Sequence, residues 1–332
     1  MRVAINGFGR IGRSVFRILN DQEDIEVVAI NDLSDQDALT YLLRHDTVMG
    51  GFKGNVSLEG DILKTENESV KMISERDPHQ LPWGEFKVDA VIESTGVFTN
   101  RSSLENHLNA GAKKVLLTVP AKDDIDNTIV IGVNEDTLKP EHLIVSNASC
   151  TTNCLAPMAR VLHESFGIKQ GVINTVHAYT NDQRLADVPH KDWRRSRAAA
   201  ENIIPTSTGA ARAVGKVLPA VAGKLDGIAS RVPVPDGSVV DLFVELEKEV
   251  TIDEINEAVK TYASSERMSK ILNYSTAPIV SSDIIGNPYS SIYDSECTKV
   301  ILGRFARTLN WYDNEWAYSN RVVDLLRLMY NG

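Results

Sequence analysis

The segment Ser149-Cys150-Thr151-Thr152-Asn153-Cys154 puts a thiol where a strand pattern ends and a helix pattern begins. A cysteine at a helix N-terminus gains thiolate character from the helix dipole and the open amides there. The same amides can hold an oxyanion that develops beside the sulfur. Ser149, Thr151 and Thr152 add hydroxyl donors around that point. A thiol nucleophile needs a base, and among 7 histidines His177 is the leading candidate. It ends the expected strand Val172–Val176 and opens the polar turn His177-Ala178-Tyr179-Thr180-Asn181-Asp182, the kind of strand end where catalytic groups gather. His190 is a weaker rival; His45, His79, His107, His142 and His163 read as surface residues. Cys154, one helical turn beyond Cys150, reads as buried packing, and no Cys/His spacing points to a metal.

A second constellation opens the chain. Gly7-Phe8-Gly9-Arg10-Ile11-Gly12 follows a strand and starts a helix, the G-x-G-x-x-G pattern of a dinucleotide site. The first glycine permits the turn, the second lets the backbone approach a pyrophosphate, and the third lets helix and strand pack closely. Asp32 ends the next strand, 20 residues after Gly12, where a carboxylate accepts bonds from ribose hydroxyls. Its charge would repel a 2′-phosphate, so NAD is expected over NADP. Anion-binding chemistry recurs in the second half. His190–Arg197 holds the densest cluster of basic residues, Arg195 among them; Thr206-Ser207-Thr208-Gly209-Ala210 is a hydroxyl-rich entry to a helix; Arg231 ends a strand.

The elements that would position these groups divide the chain in two. Up to about residue 150, short Val/Ile-rich runs alternate with amphipathic stretches: Val3–Asn6, Ile25–Asn31, Asp89–Ile92, Val115–Thr118, Thr128–Val133 and Leu143–Ser146. That alternation implies a doubly wound parallel sheet of Rossmann type, with hairpins inserted over residues 50–85. Beyond it, strands are expected at Gly171–His177, Ile228–Val232, Val239–Lys248 and Thr298–Leu302, with helices at Gly209–Leu218, Asp253–Ser264 and Glu315–Tyr330. The second half therefore reads as an α+β domain with a mostly antiparallel sheet covered by helices on one side. With 35 Lys+Arg against 45 Asp+Glu the net charge is −10, which argues against nucleic acid or an acidic membrane surface as a partner. No apolar run approaches the ~18 residues a spanning helix needs. The first strand has no leader-like segment before it, and 3 cysteines cannot all pair, so a cytoplasmic setting is expected.

Several segments together resemble one family. Ile5–Arg13, Ser146–Asn153, His177–Arg184, Thr206–Ala211 and Trp311–Asn320 are similar to the phosphorylating glyceraldehyde-3-phosphate dehydrogenases, and the likeness runs over essentially the whole chain. The resemblance implies an NAD-binding domain at residues 1–149, completed by the C-terminal helix 315–332, and a catalytic domain at 150–314. It implies NAD-dependent oxidative phosphorylation of glyceraldehyde 3-phosphate in glycolysis, through a Cys150 thiohemiacetal and thioester with His177 as acid and base. Substrate phosphate would lie near Thr180 and Arg231, and attacking phosphate near Ser149, Thr151, Thr208 and Gly209, with Arg195 a further contributor. The cofactor positions would be Gly7, Gly9, Arg10, Ile11, Gly12, Asp32, Arg76, Thr118 and Asn314, the last holding the nicotinamide amide. A homotetramer is implied as well, with residues 178–200 beside a neighbouring subunit's cofactor. Departures from the family pattern are Val188, where Leu is usual before Pro189, and Val119 and Ala317 on the cofactor side. The alternative is erythrose-4-phosphate dehydrogenase, which tends to lose the Thr180-Asn181 and Thr208-Gly209 patterns present here.

Overall fold

The computed structural model describes residues 1–331, which divide into two compact units. The first comprises Met1–Ile129, Glu135–Ser149 and Ser319–Gly332; the second comprises Val130–Asn134 and Cys150–Tyr318.

In chain order the first unit contains β1 (Arg2–Asn6), α1 (Arg10–Leu19), β2 (Glu26–Asn31), α2 (Gln36–Arg44), β3 (Ser57–Glu59), β4 (Ile62–Lys64), β5 (Ser69–Ile73), β6 (Ala90–Glu93), α3 (Arg101–Asn109), β7 (Lys114–Leu117), β8 (Asn127–Thr128) and β9 (Ile144–Ser146). They form one sheet in the order β3-β4-β5-β2-β1-β6-β7-β9-β8. The pairs from β5 to β8 are parallel, and β3 and β4 extend one edge as antiparallel ribbons, the hairpin that the glycines of residues 50–60 foreshadow. Strand order reverses at β1, the switch point beside which dinucleotides bind in such sheets. Val3, Ala4 and Ile5 are fully buried, so the strand reads as the continuous apolar run typical of a parallel strand with both faces covered. Val15, Phe16 and Leu19 seat α1, each burial contributing roughly 1.5–3 kcal/mol. Thr128–Val133 departs from expectation: only Asn127–Thr128 is extended, because Gly132 takes φ +87° and Asn134 Oδ1 accepts the Val130 N–H, closing a turn.

The second unit contains α4 (Cys150–Phe166), β10 (Ile168–Ala178), β11 (Ile204–Ser207), α5 (Ala210–Val217), β12 (Leu225–Val232), β13 (Ser238–Leu246), α6 (Ile252–Ala263), β14 (Leu272–Ser275), β15 (Ser291–Asp294), β16 (Lys299–Ile301), β17 (Phe305–Tyr312) and the start of α7 (Trp316–Asn331). Its sheet runs β11-β12-β10-β13-β17-β15-β14, with β16 on β17. It is mostly antiparallel, but β10–β12 and β14–β15 are parallel. Helix α4 packs on β10, β13, β15 and β17, and is buried almost all round from Thr151 to Leu162. Strand β17 is absent from the sequence reading, which ends the sheet at Thr298–Leu302. Its alternation fails because Thr308, Leu309 and Asn310 are all buried, and two of them are polar.

The glycine turn makes two separable demands. A Cβ on Gly12 would meet Gly7 O at 2.1 Å, whereas one on Gly9 would meet nothing within 4 Å. Gly12→Ala is therefore expected to lower unfolding stability by about 1–3 kcal/mol, the usual range for overpacking. Gly9→Ala should stay within about 0.5 kcal/mol of wild type in the same denaturant titration, the usual spread for a surface change.

Candidate active site

Cys150 is the first residue of α4, and its Sγ lies 3.6 Å from His177 Nε2. Strand β10 delivers His177 to this point. Its parallel register with β12 pairs His177 directly with Arg231, so the imidazole's far side faces a guanidinium. His177 Nδ1 lies 2.7 Å from Ala178 O and 2.9 Å from Arg231 Nη1, and Arg231 Nη1 also donates to Ala178 O at 2.9 Å. A guanidinium only donates and a carbonyl only accepts, so Nδ1 carries a proton when it bonds Ala178 O and a lone pair when it bonds Arg231. The first of these tautomers leaves the Nε2 lone pair facing the thiol. Burial, and then the Arg231 charge, push the imidazole down to about 3, so the ligand-free site holds it neutral. Burial also pushes the Cys150 thiol up, opposed by Arg231 and by hydrogen bonds from the Thr151 hydroxyl and amide.

Tyr312, at the end of β17, braces the pair. Its hydroxyl lies 2.8 Å from Thr151 Oγ1 and 2.9 Å from Thr175 Oγ1, and its ring stands edge-on to His177 at 5.8 Å. The sequence reading gave it no role and expected no strand there. Cys154 is fully buried, its thiol reaching Ser291 Oγ at 3.7 Å and Asn310 O at 3.5 Å.

The basic residues form one network. Arg231 Nη1 reaches Thr180 Oγ1 at 3.4 Å, Thr180 donates to Asp182 at 2.6 Å, and Asp182 pairs with Arg195. Arg195 Nε donates to Thr206 Oγ1 at 2.9 Å, and Thr206 donates to Asp192 at 2.9 Å. Burial pushes Asp182 up, but the Thr180 hydroxyl, Arg195 and Arg231 outweigh it and hold the carboxyl below its ordinary value. Thr208 and Gly209 link α5 to β11, with Gly209 as the helix N-cap, and β11 pairs with β12 on the Arg231 side. Ser149 immediately precedes Cys150 and is half-buried.

The first unit collects the other set. Gly9 is the N-cap of α1 and no side chain caps it. Asp32 sits against the turn, its Oδ2 accepting the Phe8 N–H at 2.7 Å and its Oδ1 the Ser34 N–H at 2.9 Å. An uncapped helix start, open space at Gly9 and a carboxylate beside it suit a pyrophosphate and an adjoining ribose. Ile11 is half-buried; the Arg10 side chain is engaged by Asp46 at 2.5 Å. Thr118 is buried and donates to Glu93 O at 3.0 Å, and Arg76 is exposed. Asn314 belongs to the second unit, where its Oδ1 accepts the Ser238 hydroxyl at 2.6 Å.

Beneath the glycine turn lies a buried polar chain that the sequence reading missed. Trp83 Nε1 donates to His107 Nδ1 at 3.0 Å, His107 Nε2 meets Glu93 at 3.0 Å, and Asn6 donates to Glu93 at 2.6 Å and accepts from Asn31 at 2.7 Å. His107 is thus a core residue, not a surface one, with 0% exposure. The only local signal is polar Asn6, Asn31 and Glu93 ending three apolar strands.

Comparison with known proteins agrees with this geometry. The family model "Glyceraldehyde 3-phosphate dehydrogenase, NAD binding domain" matches residues 1–101, and "Glyceraldehyde 3-phosphate dehydrogenase, C-terminal domain" matches residues 149–314. The chain belongs to this family. Glyceraldehyde-3-phosphate dehydrogenase of Streptomyces coelicolor is 58% identical over 327 residues, 98% of this chain and 97% of that protein. Those of Geobacillus stearothermophilus and Mycobacterium tuberculosis are 56% and 54% identical, covering 98% and 99% of this chain and 97% and 98% of their own. Membership makes the chain an NAD-dependent oxidoreductase.

The Tyr312 brace is testable by a double-mutant cycle. Tyr312→Phe leaves the buried Thr175 hydroxyl short of a partner and is expected to cost about 1–3 kcal/mol. Adding Thr175→Val should cost less than the two single changes summed, measured by urea unfolding.

Proposed function

We propose that the chain oxidises and phosphorylates glyceraldehyde 3-phosphate to 1,3-bisphosphoglycerate, with Cys150 as nucleophile and His177 as acid and base. The observation that carries this reading is the 3.6 Å approach of Cys150 Sγ to a neutral imidazole nitrogen at the start of α4. Arg231 and Arg195 near that pair suit a substrate with one phosphate and a co-substrate that is another.

His177 Nε2 takes the thiol proton as sulfur attacks the aldehyde carbon, forming the C–S bond and an alkoxide. The Thr151 amide at the helix start stabilises that oxygen, which takes the proton back from His177 to give the thiohemiacetal and a neutral imidazole. Neutral His177 then accepts the hydroxyl proton as hydride leaves the same carbon. NAD, when bound, supplies the two-electron acceptor for that hydride. The resulting thioester is attacked by a phosphate oxygen; the C–S bond breaks and Cys150 leaves as thiolate, recovering its proton from His177. A dianionic group on Arg231 and Thr180 would offset the guanidinium charge beside His177 and raise the imidazole's proton affinity, so substrate binding would help ready the base. Ser149, Thr151, Thr208, Gly209 and Arg195 are assigned to the attacking phosphate. Gly7, Gly9, Arg10, Ile11, Gly12, Asp32, Arg76 and Thr118 are assigned to the cofactor; Arg10, with its side chain on Asp46, would contribute its main chain. Asn314 is assigned to the nicotinamide amide: Ser238 occupies its Oδ1, which leaves its NH₂ group to donate.

A homotetramer in the cytoplasm completes the reading. The outer face of the second sheet exposes Val172, Ile301, Leu302 and Phe305 around a stacked Phe243–Phe305 pair, an apolar face that another copy would cover. No helix of the described residues is long and apolar enough to cross a membrane, and all three cysteines are free, as a reducing compartment requires.

NADH formation from glyceraldehyde 3-phosphate should require inorganic phosphate, and Cys150→Ser should cut kcat at least about 10³-fold. Equal turnover without phosphate, or faster turnover of erythrose 4-phosphate, would contradict the assignment. Leu302→Glu with Val172→Asp should shift the sedimentation coefficient to a smaller species; an unchanged value would remove the sheet face as the contact.

A further inference from the structure

Three polar residues stand side by side where strands of the first unit end. Asn31, Asn6 and Glu93 are the last residues of β2, β1 and β6, and the parallel registers pair Asn6 with Asn31 on one side and with Glu93 on the other. All three are buried, Glu93 completely. A polar row in such a place costs desolvation unless its hydrogen bonds are made.

The direction of each bond is forced from both ends of the row. At one end the indole of Trp83 only donates, so His107 Nδ1 keeps its lone pair and the imidazole proton sits on Nε2, facing Glu93 Oε2 at 3.0 Å. At the other end the Glu75 main chain sets the Asn31 amide. Asn31 Oδ1 accepts the Glu75 N–H at 2.8 Å, and Nδ2 donates to the Glu75 carbonyl at 2.9 Å. The same Nδ2 donates to Asn6 Oδ1 at 2.7 Å, which turns the Asn6 NH₂ group to Glu93 Oε2 at 2.6 Å. Glu93 Oε1 accepts the Thr95 N–H at 2.9 Å and the Thr95 hydroxyl. Each carboxylate oxygen thus receives two donors, and the imidazole that supplies one of them is neutral.

What adjoins these residues is the crevice assigned above to the cofactor. Gly7 follows Asn6, Asp32 follows Asn31 and Arg76 follows Glu75. Thr95 presses on the glycine turn, its amide nitrogen 2.6 Å from a would-be Gly7 Cβ, and Ser94 Oγ donates to the Gly7 carbonyl at 2.7 Å. Strands β2, β1 and β6 are neighbours in that order, so the row lies across the point where strand order reverses.

We propose that Glu93 is a positioning residue for the cofactor site: its buried carboxylate gathers the ends of β1, β2 and β6 and so fixes the spacing of the Gly7 turn, Asp32 and Thr95 before NAD arrives. The proposal rests on the assignment of the glycine turn and Asp32 to the cofactor. An amide cannot stand in for this carboxylate, because its NH₂ end would face two donors whichever way it turned.

The test titrates full-length wild type and variants with NAD and with ADP-ribose, which lacks the nicotinamide, by calorimetry at a temperature where each is folded. Glu93→Gln should weaken both ligands at least about fivefold, as expected when buried donors lose their acceptor. Unchanged affinity, or a loss seen with NAD but not with ADP-ribose, would overturn the positioning role. His107→Gln and His107→Leu keep the test open should Glu93→Gln not fold. Both leave the Trp83 indole without its acceptor and should lower the urea midpoint of unfolding. Only Gln offers Glu93 an N–H in place of Nε2–H, so it should recover most of the affinity that His107→Leu loses. Equal losses of affinity in the two would overturn the donor role, since stability alone would then explain them. Asp32→Ala is the separate control: unchanged ADP-ribose affinity there would remove Asp32 from the cofactor site, and with it the purpose of the row, whatever Glu93→Gln shows.

Discussion

The parallel register of β10 with β12 is the constraint from which the catalytic arrangement follows. It sets Arg231 against His177 on one side and lets the end of β10 turn its imidazole towards α4 on the other. When the carbonyl of Ala178 takes Nδ1–H, the opposite nitrogen is left as the acceptor for Cys150. A one-residue slip of β12 would carry Arg231 to the opposite face of the sheet from His177, since side chains alternate along a strand. Tyr312 then fixes the helix start against β10 through Thr151 and Thr175, so three separate elements hold one sulfur–nitrogen distance.

Charge works on two scales here. The chain as a whole is acidic, at −10, yet the phosphate-binding assignments fall on a local chain of opposite charges running Arg231–Thr180–Asp182–Arg195. Asp182 keeps the two guanidiniums in one network when no anion is present, which limits their mutual repulsion. An arriving phosphate would compete with a ready-made carboxylate rather than meet bare cations, and that competition favours ligands with two negative charges over those with one.

Local motifs were readable from the sequence because each is contiguous. The glycine turn with Asp32, the helix-start cysteine and the strand-end histidine all carry their meaning within a few residues, and the β–α alternation of the first half shows in its apolar runs. What stayed hidden depends on pairings between distant segments. Strand β17 hid because Thr308 and Asn310 are polar and buried. His107 looked like a surface residue because its partners Trp83 and Glu93 are 24 and 14 positions away. Ser238 meets Asn314 only when β13 lies beside β17, a pairing of Ser238 with Tyr312. The Val130–Asn134 turn escaped because its branched residues mimic a strand, and only the positive φ of Gly132 breaks it.

The central claim is that His177 takes the proton from Cys150. The direct measurement is the rate at which iodoacetamide alkylates Cys150 at pH 7, read on the Cys150 peptide by mass so that the half-buried Cys297 does not contribute. Removing a positioned base is expected to slow the reaction of the thiol at least about tenfold, towards the low end of what general-base assistance supplies. His177→Asn slower than wild type by that factor, at equal stability, is the result expected. Equal rates for the two proteins would show that the sulfur is activated without the histidine, and would contradict the account.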